Sequence, residues 1–168
     1  MLIDDTPEYD LVWDKVYEIL KFTPSMDKSI VPFEIKEDYA IYSFDFNEIT
    51  DQHIDMMNKV IENIFANICK DDTKMYALDW HHSAFLYNPK NPEEQKSFWK
   101  EDDRYMGGGY NAYFPSFLPD GDYYFFIDEN FRFGYLGHPW RHEIWVWGEE
   151  LIARMDEIYS AIGFKKIK

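Results

Sequence analysis

The sequence predicts an α+β domain: a single twisted, mainly antiparallel sheet with about three helices packed on a face of it. Three observations carry this. Apolar residues recur at the helical period in three segments. Elsewhere the chain holds short runs rich in Tyr, Phe, Trp and Ile, the residues that favour strands. The later runs follow one another through short turns, which favours antiparallel pairing over crossover connections. A chain of 168 residues fits one domain with one full core, spanning 1–168.

The first helix is expected from about Pro7 to Phe22. Tyr9, Val12, Trp13, Val16, Ile19 and Leu20 form its apolar stripe. Thr6 can cap it, Pro7 suits its first turn, and Pro24 follows its end. A half-buried strand follows, with Ala40, Tyr42, Phe44 and Phe46 alternating against Ile41, Ser43 and Asp45. The second helix runs from about Asp51 to Cys69, striped by Ile54, Met57, Ile61, Ile64, Phe65 and Ile68, with Thr50 as its cap. Met75–Trp80 and Ser83–Tyr87 read as short strands. Residues 88–121 read as one long irregular loop. Its Gly107-Gly108-Gly109 run suits a hinge rather than a phosphate cradle, because no Lys or Ser/Thr follows it. Tyr123–Ile127 and Phe131–Leu136 flank a hairpin turn at Asp128-Glu129-Asn130. In the last strand, His142–Trp147, Trp145 and Trp147 share one face and Ile144 and Val146 the other. The third helix runs from about Glu149 to Ile162. Its acidic start complements the helix dipole, and Gly163 suits the position just past its end.

Two features of the composition are unusual. Aromatic residues make up 20% of the chain, and the net charge is −15. Such a charge repels phosphate backbones and anionic lipid surfaces, so nucleic acid and membrane are excluded as general partners. It attracts a basic protein instead. The single cysteine, Cys69, falls on the apolar side of the second helix and reads as a buried, inert thiol. One cysteine gives no intramolecular disulfide, and the opening MLIDDTPEYD lacks the basic and apolar regions of a secretory signal. These features point to the cytoplasm.

Residues suited to chemistry gather in two places: Asp79-Trp80-His81-His82, ending one strand, and Gly137-His138-Pro139-Trp140-Arg141-His142-Glu143, entering another. Asp79 with His82 or His138 would make an acid/base pair, the carboxylate orienting the ring. Each also has a structural reading, in which the imidazole satisfies loop backbone groups and the aspartate caps a turn. No complete metal motif is present and no cofactor is implied. The residual ligand candidates are His82, His138 and His142. Adjacent His81 and His82 on a strand would face opposite ways, so at most one would join a given site. Trp80, Trp140, Trp145 and Trp147 could form a stacking or cation–π platform, or pack in a heavy aromatic core.

Several segments together resemble a known family. They are Ala77-Leu78-Asp79-Trp80 with His82, then Pro119-Asp120-Gly121-Asp122-Tyr123-Tyr124, Gly134, Gly137-His138-Pro139-Trp140, and Val146 with Gly148. The ordered set is similar to a bacterial domain family carrying a domain-of-unknown-function label, over most of the chain. His81 departs from it, standing where a polar residue such as Gln is expected. The resemblance implies a single domain and brings no activity. It draws attention to Asp79, His82, His138 and Trp140.

The expectation is therefore a non-enzymatic acidic binding protein for a basic protein partner, a toxin-neutralising immunity protein being one concrete form. The alternative is a hydrolase built on Asp79, His82 and His138, with His142 or Glu143 in support.

Overall fold

The computed structural model describes residues 1–168. Its elements follow in chain order: α1 (Pro7–Ile19), β1 (Tyr39–Ser43), α2 (Asp51–Ile68), β2 (Met75–Asp79), β3 (Ala84–Tyr87), β4 (Phe98–Glu101), β5 (Gly109–Ala112), β6 (Tyr124–Asp128), β7 (Gly134–His138), β8 (Glu143–Trp147), α3 (Glu149–Ile158) and β9 (Lys165–Lys166). Seven strands make one sheet in the order β3-β2-β6-β7-β8-β1-β9. Every neighbouring pair in it is antiparallel. This is the α+β architecture expected from the sequence.

The helices lie on both faces of the sheet, not on one. Strand alternation sends Phe125, Ile127, Leu136, Trp145 and Trp147 to the face covered by α1 and by Phe22, Phe33 and Ile35 of the following loop. Phe126, Tyr135, Ile144 and Val146 go to the opposite face, against Met57, Ile61 and Phe65 of α2 and Leu151 and Met155 of α3. The central strands are buried on both sides, so β2, β7 and β8 read as continuous apolar runs. The alternation in Ala40–Phe46 suggested a half-buried strand, but β1 has Ala40, Ile41 and Tyr42 all buried.

Close packing sets the glycine positions. A side chain on Gly134 would meet the Trp147 ring at 2.1 Å, because the two residues are paired across β7 and β8. Only hydrogen lets the indole lie flat there. Capping differs between the helices. The Thr50 hydroxyl accepts the His53 backbone N–H, and the His53 ring accepts the Thr50 N–H, closing a capping box at the start of α2. Thr6 makes no such bond: its hydroxyl donates to the Ile3 carbonyl.

The segment 88–121 is more ordered than a loop. It contains a 3₁₀ turn (Pro92–Glu94) and the β4–β5 hairpin, paired from Phe98–Ala112 to Glu101–Gly109. Gly107-Gly108-Gly109 is the return of that hairpin and not a hinge. Gly109 has no room for a side chain beside Trp99 and the Lys100 carbonyl. We call this hairpin the arm. All four residues of β4 are exposed.

Candidate functional site

β2 ends at Asp79, and a tight turn returns the chain to β3. The His82 N–H donates to the Asp79 carbonyl, and the Asp79 N–H to the Ser83 carbonyl. In a turn the two-fold alternation of a strand is lost. Adjacent His81 and His82 therefore both reach one site, contrary to the strand-based expectation. His82 Nδ1 lies 2.9 Å from Asp79 Oδ1 and 3.9 Å from Asp122 Oδ2, and His81 Nδ1 lies 2.9 Å from Asp122 Oδ2. Asp122 stands just before β6, and its Oδ1 accepts the Tyr123 backbone N–H at 2.8 Å. The strands β2 and β6 are neighbours, and the Trp80 N–H donates to the Tyr123 carbonyl, which fixes the two aspartates side by side.

Both carboxylates are almost wholly buried, while both imidazoles are well over half exposed. Burial raises the pKa of Asp79, against the pull of its bond to His82. The Asp79 carboxylate in turn raises the pKa of His82.

His138 does not join them. It follows Leu136 on β7 and so points to the α1 face, whereas Asp79 follows Ala77 to the other. Its ring is completely buried beside Tyr123 and Trp140. Nδ1 faces the Arg141 N–H and Nε2 faces the Tyr123 hydroxyl, each at 3.4 Å. Burial first, and Arg141 second, pushes its pKa down to about 4. The ring is a neutral structural group. His142 stands elsewhere again, stacked on Phe44 with its edge to Phe46. The set His82, His138 and His142 therefore does not assemble. Glu143 is paired with Arg141 and accepts the Trp145 indole N–H, a closed structural network.

The four tryptophans divide. Trp145 and Trp147 are core residues and present no platform. Trp80 and Trp140 are half-buried and flank a 330 Å³ pocket with Met26 and Asp122. Trp80 also stacks on His81, ring centres 3.7 Å apart, and donates to the Tyr17 hydroxyl.

A second hollow of 470 Å³ opens beside both histidines. Asp4, Asp5, His81, His82, Arg104 and Tyr110 line it, so it lies between the N-terminal segment, the β2–β3 turn and the arm. Asp4 accepts from the Ala84 N–H and the Tyr110 hydroxyl, and Arg104 bridges Asp5 and Asp102. Sequence reasoning missed Asp122 as a site residue, although it lies within the quoted PDGDYY segment. It also missed the arm.

The family model "Protein of unknown function (DUF2716)" matches residues 4–152, which include Asp79, His81, His82, Asp122 and the arm. The chain belongs to this family. It is also similar to the uncharacterised protein YxiI of Bacillus subtilis (strain 168), at 29% identity over 158 residues, covering 88% of this chain and 86% of that protein. No solved structure matches it.

Proposed function

We propose that this protein is a non-enzymatic acidic binding protein whose partner is a basic protein, held on the arm and the acidic hollow at its base. One observation carries the reading. Phe98, Trp99, Tyr105, Met106 and Tyr113 are all exposed on one short stretch of chain, and Trp99 is 52% accessible. Large aromatic side chains gathered on one exposed hairpin strand and its turn are what interface hot spots are made of. Acids surround them: Glu101, Asp102 and Asp103 at the arm, Asp4 and Asp5 at its base. Arg104, one of two cations nearby with Lys100, is already neutralised by Asp5 and Asp102. With −15 overall, such a surface speeds encounter with a basic partner and discourages acidic ones. A toxin-neutralising immunity protein acting in the cytoplasm is the concrete form of this proposal. The unpaired, buried Cys69 is consistent with a reducing compartment, and no helix is long and apolar enough to cross a membrane.

The hydrolase alternative retains the Asp79–His82 pair but loses His138, which lies across the sheet.

The test is capture from host lysate at low and high salt, using wild type and a Trp99→Ala/Tyr105→Ala variant. Both side chains are exposed, so the variant should keep its melting temperature. The expected result is a basic protein retained at low salt by wild type alone. Identical captures by wild type and variant would refute the arm as the binding surface.

A further inference from the structure

The protein buries four acidic side chains: Asp79, Asp122, Asp128 and Glu143. Two of them have an arginine. Arg132 grips both oxygens of Asp128 at 2.6 and 2.8 Å, and Arg141 grips both of Glu143 at 2.8 and 3.1 Å. Asp79 and Asp122 have none. The only groups near them that can carry positive charge are His81 and His82. The two carboxylates meet at the same His82 nitrogen, 2.9 and 3.9 Å from it, close enough to repel each other. Removing a carboxylate from water is costly unless a cation compensates it. A fold that supplies a fixed cation to its other buried acids has left this pair without one.

The donor atoms around the pair already converge. One ligand atom from each of Asp79, His82 and Asp122 lies within 4.8 Å of the others. His81 Nδ1 stands outside that set as a hydrogen-bond partner of Asp122, 2.9 Å from its Oδ2. A tetrahedral ion with bonds near 2.1 Å keeps neighbouring ligand atoms about 3.4 Å apart. The observed spacings of 2.9 Å and 3.9 Å fall on either side of that value. Asp79 is held in the paired strand β2 and Asp122 just before β6, while the imidazoles sit on an exposed turn. Two carboxylates with an imidazole suit borderline divalent ions and not Cu(I).

We propose that Asp79, His82 and Asp122 form a binding site for a divalent first-row transition ion, with Zn²⁺ as its representative and His81 holding Asp122 in place beside it. The ion binds His82 at Nδ1, leaving the ring proton on Nε2 toward solvent. Three protein ligands leave the fourth position of a tetrahedral shell to water. The ion ties the β2–β3 turn to the start of β6 and sets the wall shared by the two hollows. The site stands independently of the partner proposed above.

The experiment uses metal-stripped full-length protein, titrated with ZnCl₂ by calorimetry and with CoCl₂ by visible absorption. The expected result is one equivalent of Zn²⁺ bound, a raised melting temperature, and the intense d–d bands of tetrahedral Co²⁺. The variant His81→Asn/His82→Asn keeps an N–H donor for each buried carboxylate but no imidazole, so it should stay folded in the absence of metal. It should bind Zn²⁺ more weakly by about a hundredfold or more, beyond the usual cost of losing a single outer-shell hydrogen bond. His142→Ala should bind as wild type. No stoichiometric binding by wild type, equal binding by the double variant, or loss of binding in His142→Ala would each overturn the proposal.

Discussion

The buried imidazole of His138 makes acid stability a direct test of its structural role. In the unfolded chain the ring has its ordinary pKa of 6.5, and in the folded protein the value is about 4. Between these values the unfolded state binds a proton that the folded state does not. Folding stability from this group is therefore complete above pH 6.5, falls as the pH drops from 6.5 to 4, and changes no further below that. A gap of about 2.5 pH units at 1.36 kcal/mol each amounts to about 3 kcal/mol. The perturbation is His138→Gln, which keeps an acceptor for the Arg141 N–H and a donor for the Tyr123 hydroxyl but does not titrate. Urea unfolding of both proteins at several pH values from 7 to 4 is the assay. At neutral pH the variant should be less stable, by about 1–3 kcal/mol for an imperfectly refilled buried polar site. On acidification it should lose about 3 kcal/mol less than wild type, so that the two curves converge or cross. Other titrating groups are common to both proteins and cancel in the comparison. Parallel curves would refute the assignment, because they would mean that the ring already carries its ordinary pKa in the fold.

Three further outcomes follow from the packing. Gly134→Ala drives a methyl into the Trp147 ring and should cost at least about 1–3 kcal/mol, lowering the melting temperature by several degrees; an unchanged melt would contradict the pairing of β7 and β8. Burial pushes the Cys69 thiol up to about 11, so at pH 8 only about a thousandth of it is thiolate. A thiol reagent should label it slowly in the native protein and promptly in urea, and prompt native labelling would place it at the surface. Thr50→Ala removes the acceptor that caps α2 and should reduce stability by about 1 kcal/mol, measured by urea midpoint at constant slope; no change would mean that the capping box contributes nothing.

The three helices and most strands were legible because each buries a periodic apolar face, and periodicity survives translation into structure. In the stripe Ile54, Met57, Ile61, Ile64, Phe65 and Ile68, for example, the four middle members are in the core and the two end members pack partly buried against it. The placement of helices on both sheet faces was not legible. The clue was there in β8, where Trp145 and Trp147 face one way and Ile144 and Val146 the other, all buried. A strand apolar on both sides needs two covering layers. The arm was missed for the opposite reason. Its strands bury nothing at β4, so no hydrophobic pattern marks them, and only backbone pairing with β5 makes the hairpin visible.

The site shows how a correct rule fails when applied to the wrong element. Asp79 and His82 were singled out from the sequence, and they meet at 2.9 Å. At most one of His81 and His82 is expected to join a given site, because neighbours on a strand face apart. That argument holds up to Asp79, where β2 ends, and stops holding one residue later. The turn is forced there because β2 and β3 are antiparallel neighbours with only Trp80–Ser83 between them. Trp80 is held by the Tyr123 carbonyl and the Tyr17 hydroxyl, and His81 lies against its ring. From that position His81 reaches Asp122, a residue 41 positions away that only the pairing of β2 with β6 brings within range. Local pattern could supply three members of the cluster from one tetrapeptide. The fourth required the sheet order, in which β6 inserts beside β2 although four other elements separate them in the chain. This cluster of acids and imidazoles therefore gathers where strand register ends and a turn begins, at the point where sequence periodicity carries least information.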